Sequence, residues 1–560
     1  MKKTWWKEAV VYQIYPRSFF DTSGNGLGDI NGITEKLDYL KLLGVDVLWL
    51  SPIFTSPDDD NGYDISDYRG ISEKFGTMKD FEILLEEAHK RNLKIVLDLV
   101  VNHTSDEHYW FKQSKSSKDN PYRDYYFWKD EKPNNWVSFF GGDAWEFDET
   151  TQSYYLHLFS KKQPDLNWEN PKVRKEVYDL MKFWLDKGVD GFRMDVIPMI
   201  SKYLDFPDID RNDFPKAINE VYTNGPRLHE YLQEMHTEVL SKYDVLSMGE
   251  GIGVNAKQGL LYTADSRKEL QMLYHFEHMA LDWGKGGKFD IKQWKLTEFK
   301  TIFRTWQETL GNEGWVTVFL DNHDFPRMVS RFGNDTIYRN ESAKLLATLL
   351  LTQKGTPCLY QGSEIGMTNV KYDSVYDYDD IEIRNKIEEW KQDGKDLKEL
   401  KTILHHMARD NARTPIQWNS RMDAGFTKGQ PWLPLNPNYK NINVAAAMDD
   451  KKSIWYHYQK CLSMRKKHKT FVYGDFKEYE IDSESLYIYI RSDETNIFLV
   501  LLNLTSTVQK ITETLPNYVN EQIIISNYSN KDIKIGVLNP WEATVYRICL
   551  LYTSPSPRDA

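Results

Sequence analysis

Two charges inside an otherwise apolar run are the first residues of this sequence able to do chemistry. In GFRMDVI, residues 191–197, Arg193 and Asp195 stand two positions apart, so on a strand they project from the same side. A buried carboxylate without a partner is prohibitively costly, whereas a guanidinium beside it holds it ionised. A permanently charged carboxylate at the end of a buried strand is what a nucleophile requires. Taken alone, the pair is better read as a structural ion pair. Other residues change that balance. Asp98, Asn102 and His103 close the run KIVLDLVVNH, Glu250 ends YDVLSMGE, and Asn322, His323 and Asp324 end WVTVFLDNHD. The set holds acids, histidines and one arginine, with no Cys, no Lys and no Ser–His pair. It suits acid/base work on a hydroxylated substrate rather than acyl transfer or redox chemistry. Each residue has a structural reading by itself, such as loop-tying for Asp98 and Asn102 or a hydrogen-bonded core position for His103. Their common place at strand ends argues against coincidence.

A second candidate lies near the N-terminus. In DTSGNGLGD, Asp21, Ser23, Asn25, Leu27 and Asp29 fall on alternate positions with glycines between. This spacing of hard oxygen ligands is that of the first half of a calcium loop, with Leu27 offering its carbonyl. Only two of the five are carboxylates, and on spacing alone a plain glycine-rich turn is equally expected.

The elements that must carry these residues follow from periodicity. Asn170-Pro171 is a helix start, Val173, Val177, Leu180, Met181 and Trp184 recur at helical spacing, and Gly188 ends the helix. Ile33, Leu37, Leu40 and Leu43 mark another helix, and Phe81–Lys90 a third. Between them stand short apolar runs, the pattern of parallel βαβ units. Eight such runs predict an α/β fold, a (β/α)8 TIM barrel, whose strand ends are the functional face. The barrel takes residues 1–103 and 171–474, with a Tyr-, Trp- and Ser-rich inserted lobe after strand 3 at 104–170 and a helical insertion at about 368–425. From 475 to 547 the period changes to two, as in LYIYIRS and NIFLVLLNL, which predicts a C-terminal antiparallel β-sandwich domain. Residues 548–560 are Ser/Pro-rich, resemble a translated adapter and are set aside as a non-native tail.

Composition narrows the partners. A net charge of −12 argues against nucleic acid or an anionic membrane. No stretch reaches bilayer-spanning length, and MKKTWWKEAVVYQ lacks the apolar core of a signal peptide. Cys358, Cys461 and Cys549 have no metal spacing and read as thiols of a reducing cytoplasm, so a cytoplasmic monomer or weak dimer is expected.

DLVVNH, GFRMDVI, MGE and FLDNHD resemble the four signature segments of the α-amylase family of retaining glycoside hydrolases. QPDLNW, residues 163–168, resembles the marker of its oligo-1,6-glucosidase subgroup, and the similarity runs from VVYQIYPRSF through DNGYDISDY to NARTPIQW and NPNYK. The resemblance implies that Asp195 is the nucleophile, Glu250 the general acid/base and Asp324 the carboxylate that distorts the sugar. Arg193 is then expected to keep Asp195 charged, with Glu250 raised in pKa beside it. It further implies that His103 and His323 bond sugar hydroxyls, Gln163 lies with the substrate-binding residues, Asp60 and Arg413 grip the 4-hydroxyl of the terminal glucose, and Tyr63 and Phe159 stack on its ring. A pocket closed at that end would release one glucose from the non-reducing end of a small oligosaccharide. Structural Ca2+ at the Asp21–Asp29 loop is implied as well, with no organic cofactor.

Val196 follows the nucleophile position, where relatives cleaving α-1,6 bonds typically have Val and α-1,4-preferring ones Thr. Isomaltose and short isomalto-oligosaccharides are thus the expected substrates. Gly251 stands where such enzymes usually have Met, Pro198 where they have Asn, and DNHD replaces NNHD. FLDNHD and GE-x-x-G-V are also similar to sucrose isomerases, but their arginine-rich RLDRD segment is here ALDWG, residues 280–284. Hydrolysis is expected over isomerisation or transglucosylation; an α-1,4-preferring glucosidase, a trehalose-6-phosphate hydrolase and a non-catalytic homologue are the other readings.

Overall fold

The computed structural model describes residues 2–516, 518–529 and 536–550. Eight strands form its centre: β1 (Val11–Ile14), β2 (Val47–Leu50), β3 (Lys94–Leu99), β4 (Gly191–Met194), β5 (Leu246–Gly251), β6 (Met272–His275), β7 (Thr317–Val318) and β8 (Thr356–Tyr360). They pair in parallel in chain order, and β8 returns to β1 through Val11↔Cys358. Between β6 and β7 the bridge Leu273↔Val316 completes the circle. This is the (β/α)8 barrel that the eight apolar runs predict. VLWL and KIVLDL are almost wholly apolar because a parallel sheet is covered on both faces.

Local signals place the helices. α1 (Met78–Lys90) begins with a reciprocal capping box between Thr77 and Asp80. α2 (Pro171–Asp186) begins as expected, the Asn170 side chain accepting from the Lys172 N–H at 2.9 Å, and Val173, Val177, Leu180, Met181 and Trp184 are buried. The chain then turns at Gly188, whose φ of +101° costs a glycine little. The helix expected over Ile33–Leu43 is instead two, Ile30–Glu35 and Leu37–Leu43, because Lys36 leaves helical geometry (φ −100°, ψ 4°).

The inserted lobe is more regular than its composition suggests. A three-stranded antiparallel sheet (Trp128–Lys129, Ser153–Leu156, Trp145–Asp148) lies within it. Strands of two to four residues are too short to show a period. Its aromatic core, with Trp136, Trp145 and Phe127, also takes in Val196 and Met199 from the segment after β4. The second insertion holds the helices Ile381–Gln392 and Leu397–Met407 and the short turn Asp410–Arg413.

The C-terminal domain has five antiparallel strands, β9 (Asp475–Tyr479), β10 (Leu486–Ser492), β11 (Ile497–Asn503), β12 (Tyr518–Ser526) and β13 (Ala543–Leu550), in the order 9-10-11-13-12. Along β10 the side chains alternate between two cores. Tyr487 and Tyr489 join the barrel's core, while Leu486, Ile488 and Ile490 join a separate one. Facing that second core, the expected sandwich layer is, among the described residues, the pair Gln509–Lys510/Val537–Leu538. β13 extends past Arg547, where the last strand was expected to end. Ile548, Cys549 and Leu550 pair with Ile497, Val519 and Tyr518, so they belong to the sheet and not to a tail. The rest of the tail, 551–560, lies outside the described residues. Among the described residues no helix is long and apolar enough to cross a membrane.

Candidate active site

The acids converge at the C-terminal ends of the barrel strands. Arg193, fully buried on β4, is the hub: its Nη1 lies 2.7 Å from Asp98 and 2.7 Å from Asp195, and its Nη2 lies 2.5 Å from Glu250. Asp98 also accepts from the Tyr63 hydroxyl at 2.9 Å and the Trp49 indole at 3.2 Å. One guanidinium therefore serves three carboxylates, so the charge expected to keep Asp195 ionised is shared with Asp98 and Glu250. Burial raises the pKa of Asp98, Asp195 and Glu250 alike, and Arg193 opposes that rise at all three. Such a cluster cannot hold three negative charges against one positive one, so it retains a proton.

The next residue, Val196, adopts the left-handed conformation (φ +35°, ψ 39°), which is unfavourable for a β-branched side chain. This turn aims its N–H at Glu250 Oε2, 2.8 Å away. Asp324 stands apart, 2.9 Å from Arg413 and 3.2 Å from His323 Nε2. Burial alone would raise its pKa, but His323, Arg409 and Arg413 together hold it well below the usual carboxylate range. Gln13 Nε2 is 2.7 Å from His323 Nδ1, and an amide N–H there must donate, which leaves the ring's proton on Nε2 facing Asp324. Burial drives His323 down to about 3 and His103 to about 4, so both rings are neutral.

A pocket opens over these groups. Asp60, Tyr63, His103, Phe159, Asp195, Val196, Glu250, His323 and Asp324 all line it, so nine of the expected site residues share one pocket. Tyr63 stacks on His323 at 5.1 Å, and Phe159 packs at 5.1 Å from His103. Gln163 and Arg193 stand just behind the surface, Gln163 donating to Asp60 at 3.1 Å. At the closed end the expected partner of Asp60 is replaced. Arg413 lies behind Asp324 and donates to the His323 carbonyl, while Arg409, one helical turn earlier, lines the pocket 3.2 Å from Asp60. Arg409 is fixed in turn by Asp380 through two bonds of 2.5 and 2.7 Å. MARDNARTP carries both arginines, and the spacing did not say which would face inward.

Two expected specificity positions also fall elsewhere. A side chain at Gly251 would point into Leu273, at 2.8 Å, because Glu250 beside it points the other way; the next residue, Ile252, lines the pocket instead. Pro198 is buried in the turn Ile197–Met199. The rest of the lining, Phe139, Phe140, Phe276, Trp283, Lys288, Phe325 and Glu382, did not stand out in the sequence, where aromatics read as core.

The Asp21–Asp29 loop closes on itself. Asp21 accepts from the N–H groups of Ser23, Gly24 and Gly26 and from the hydroxyls of Ser23 and Thr427. Asp29 accepts from Thr22, Ser23 and Gly32, and Asn25 from the Leu27 N–H. With those oxygens already committed to donors, the arrangement does not fit a calcium ion. Among the described residues no group of three or more His, Cys, Asp or Glu is placed to hold a metal.

A parallel barrel whose strand ends bring three acids and two neutral histidines into a pocket defines an acid/base enzyme of the barrel type. The family described as Alpha-amylase, catalytic domain, matches residues 13–474. The chain is 55% identical to an oligo-1,6-glucosidase of Parageobacillus thermoglucosidasius, over 98% of this chain and 100% of that protein. A mutant isomaltulose synthase of Erwinia rhapontici NX5, solved with sucrose, superposes with a TM-score of 0.93 at 45% identity, over 98% of this chain and 99% of that one. A mutant trehalose-6-phosphate hydrolase of Bacillus licheniformis does so with a TM-score of 0.93 at 47% identity, over 98% and 100%. The chain belongs to the α-amylase family of glycoside hydrolases.

Proposed function

We propose that the protein is a retaining, exo-acting α-glucosidase that releases glucose from the non-reducing end of isomaltose and short isomalto-oligosaccharides. One observation supports the retaining reading most: Asp195 and Glu250 sit on two arms of one guanidinium. Such a bridge suits the carboxyl separation of roughly 5–5.5 Å in retaining enzymes, not the roughly 6.5–9.5 Å that leaves room for a water in inverting ones. Asp195 attacks the anomeric carbon while Glu250 gives its proton to the departing glycosidic oxygen. The resulting glucosyl–Asp195 ester is hydrolysed by a water whose proton returns to Glu250. Asp324, held ionised, bonds the ring hydroxyls and stabilises positive charge at the anomeric carbon. Asp60 with Arg409 grips the far end of the glucose, and Tyr63 and Phe159 flank it.

The α-1,6 preference rests on Val196 in the pocket wall and on the several oligo-1,6-glucosidases among the relatives. Calcium has no place in these steps. The buried, unpaired Cys358 and Cys461 accord with a cytoplasmic enzyme.

Chromatography of the products from isomaltose, maltose, sucrose and trehalose 6-phosphate tests this reading. Glucose released fastest from isomaltose is expected. Isomaltulose or trehalulose from sucrose would overturn hydrolysis, and faster cleavage of trehalose 6-phosphate would overturn the substrate.

A further inference from the structure

A separate cavity lies where the strand Asp67–Ile71, the lobe's helix Tyr109–Ser114 and α2 meet, and it shares no lining residue with the catalytic pocket. Its floor is fixed. The Tyr68 hydroxyl is bonded to the carbonyls of Val100 at 2.7 Å and His103 at 3.0 Å, and the rings of His108 and Trp110 pack 4.3 Å apart. His108 is only 6% exposed, and its Nδ1 accepts the Trp110 backbone N–H at 3.1 Å, so the ring's proton stands on Nε2. Burial lowers its pKa to about 4, so the ring is neutral. Among the described residues that Nε2–H meets no acceptor, yet it is not sealed in the core and opens to the cavity. A fixed donor at the floor of a cavity is how binding sites orient a ligand.

The walls narrow the choice of ligand. Tyr109 is 57% exposed and offers a ring face. Asp67 and Glu176 contribute two carboxylates, while Arg69 lies against the Phe183 ring at 5.7 Å. An anion would face both carboxylates, and a simple cation could not accept from the His108 N–H. A neutral hydroxylated ring does both jobs: it accepts from the imidazole, donates to the carboxylates and lays its C–H face on an aromatic ring. We propose that this cavity is a non-catalytic binding site for a neutral pyranose, held by the His108 Nε2–H and the Tyr109 ring. Choosing a pyranose among neutral hydroxylated rings rests on the glucosidase reading, since glucose is then the sugar that the enzyme itself releases.

Surface plasmon resonance on the immobilised full chain tests this, with glucose as the probe. The catalytic pocket is first closed with conduritol B epoxide, which esterifies the nucleophile of a retaining glucosidase. Saturable glucose binding should persist in the closed enzyme. Tyr109→Ala should weaken it about threefold or more, the scale of one aromatic contact, and Tyr109→Phe, which keeps the ring, should restore it. His108→Asn still offers an oxygen to the Trp110 N–H but withdraws the Nε2–H, and it should weaken binding as well. No saturable binding in the closed enzyme would overturn the proposal, as would binding that Tyr109→Ala leaves unchanged. If the epoxide leaves the enzyme active, the retaining reading fails by itself. The parent and Tyr109→Ala, compared without the block, then still read the outer site, because Tyr109 does not line the catalytic pocket; identical isotherms would overturn the proposal.

Discussion

The two ends of the pocket are built on different principles. At the closed end charged and polar groups are paired with one another: Asp60 with Arg409, Arg409 with Asp380, Asp324 with Arg413, and the Tyr63 hydroxyl with Asp98. Removing any member strands a buried charge or donor, so that end is fixed in shape and in what it accepts. At the open end Phe139, Phe140, Ile252, Phe276, Trp283 and Phe325 supply aromatic and aliphatic surface, with the pair Lys288–Glu382 (2.8 Å) beside them. Apolar walls tolerate substitution far better than a buried polar network does. The difference teaches where family members can diverge: the closed end commits the enzyme to one sugar, and the open end decides what that sugar is cut from or passed to.

The largest predicted effect ignores the distinction. Asp195→Asn should lower kcat by more than about a thousandfold on every substrate while the circular dichroism spectrum is kept, because the nucleophile is lost. Retained turnover would refute the mechanism. Next come closed-end changes, which should strike all substrates equally. Arg409→Ala leaves Asp60 and Asp380 buried without their counterion, and about 3–5 kcal/mol of stability should be lost, read by denaturant titration. Asp60 offers a gentler probe. Burial raises its pKa to about 7, so as pH falls through 7 the carboxylate is protonated and loses acceptor capacity. KM for isomaltose should therefore rise on acidification, and Asp60→Asn should remove that slope; a slope kept in the variant would assign it to another group. Open-end changes should instead discriminate between substrates. Val196→Thr should move the isomaltose-to-maltose ratio of kcat/KM towards maltose by about three- to tenfold, and an unchanged ratio would sink the linkage argument. The smallest expected effect lies outside both ends. Chelation with EGTA should leave activity and Tm unchanged, since the Asp21 and Asp29 oxygens are already satisfied; a clear fall in Tm would restore the calcium reading.

The barrel and the acids at its strand ends were legible because each is encoded locally. VLWL, KIVLDL and the Asn170-Pro171 start need no distant partner to be read. The closed end was legible except for one choice between arginines a turn apart, which depends on how the four-residue helix Asp410–Arg413 is oriented by Asp380, far off in sequence. The open end was hardly legible. Its wall is gathered from the lobe, from the loops after β5 and β6 and from the second insertion, and in sequence a pocket aromatic looks like a core aromatic. Gly251 was misjudged because strand alternation points it away from its neighbour Glu250. The extent of β13 was hidden because the apolar residues Ile548 and Leu550 precede an unrelated-looking tail.

The left-handed turn at Val196 also limits how the position can evolve. Val and Thr are both β-branched and bear a similar conformational penalty there, so exchange between them alters the chemistry of the wall without altering the backbone. Glycine would escape the penalty, yet it would remove a side chain packed in the lobe's aromatic core and free the segment whose N–H is trained on Glu250. Packing of the lobe and aim of the N–H therefore both hold a β-branched residue at this strained codon.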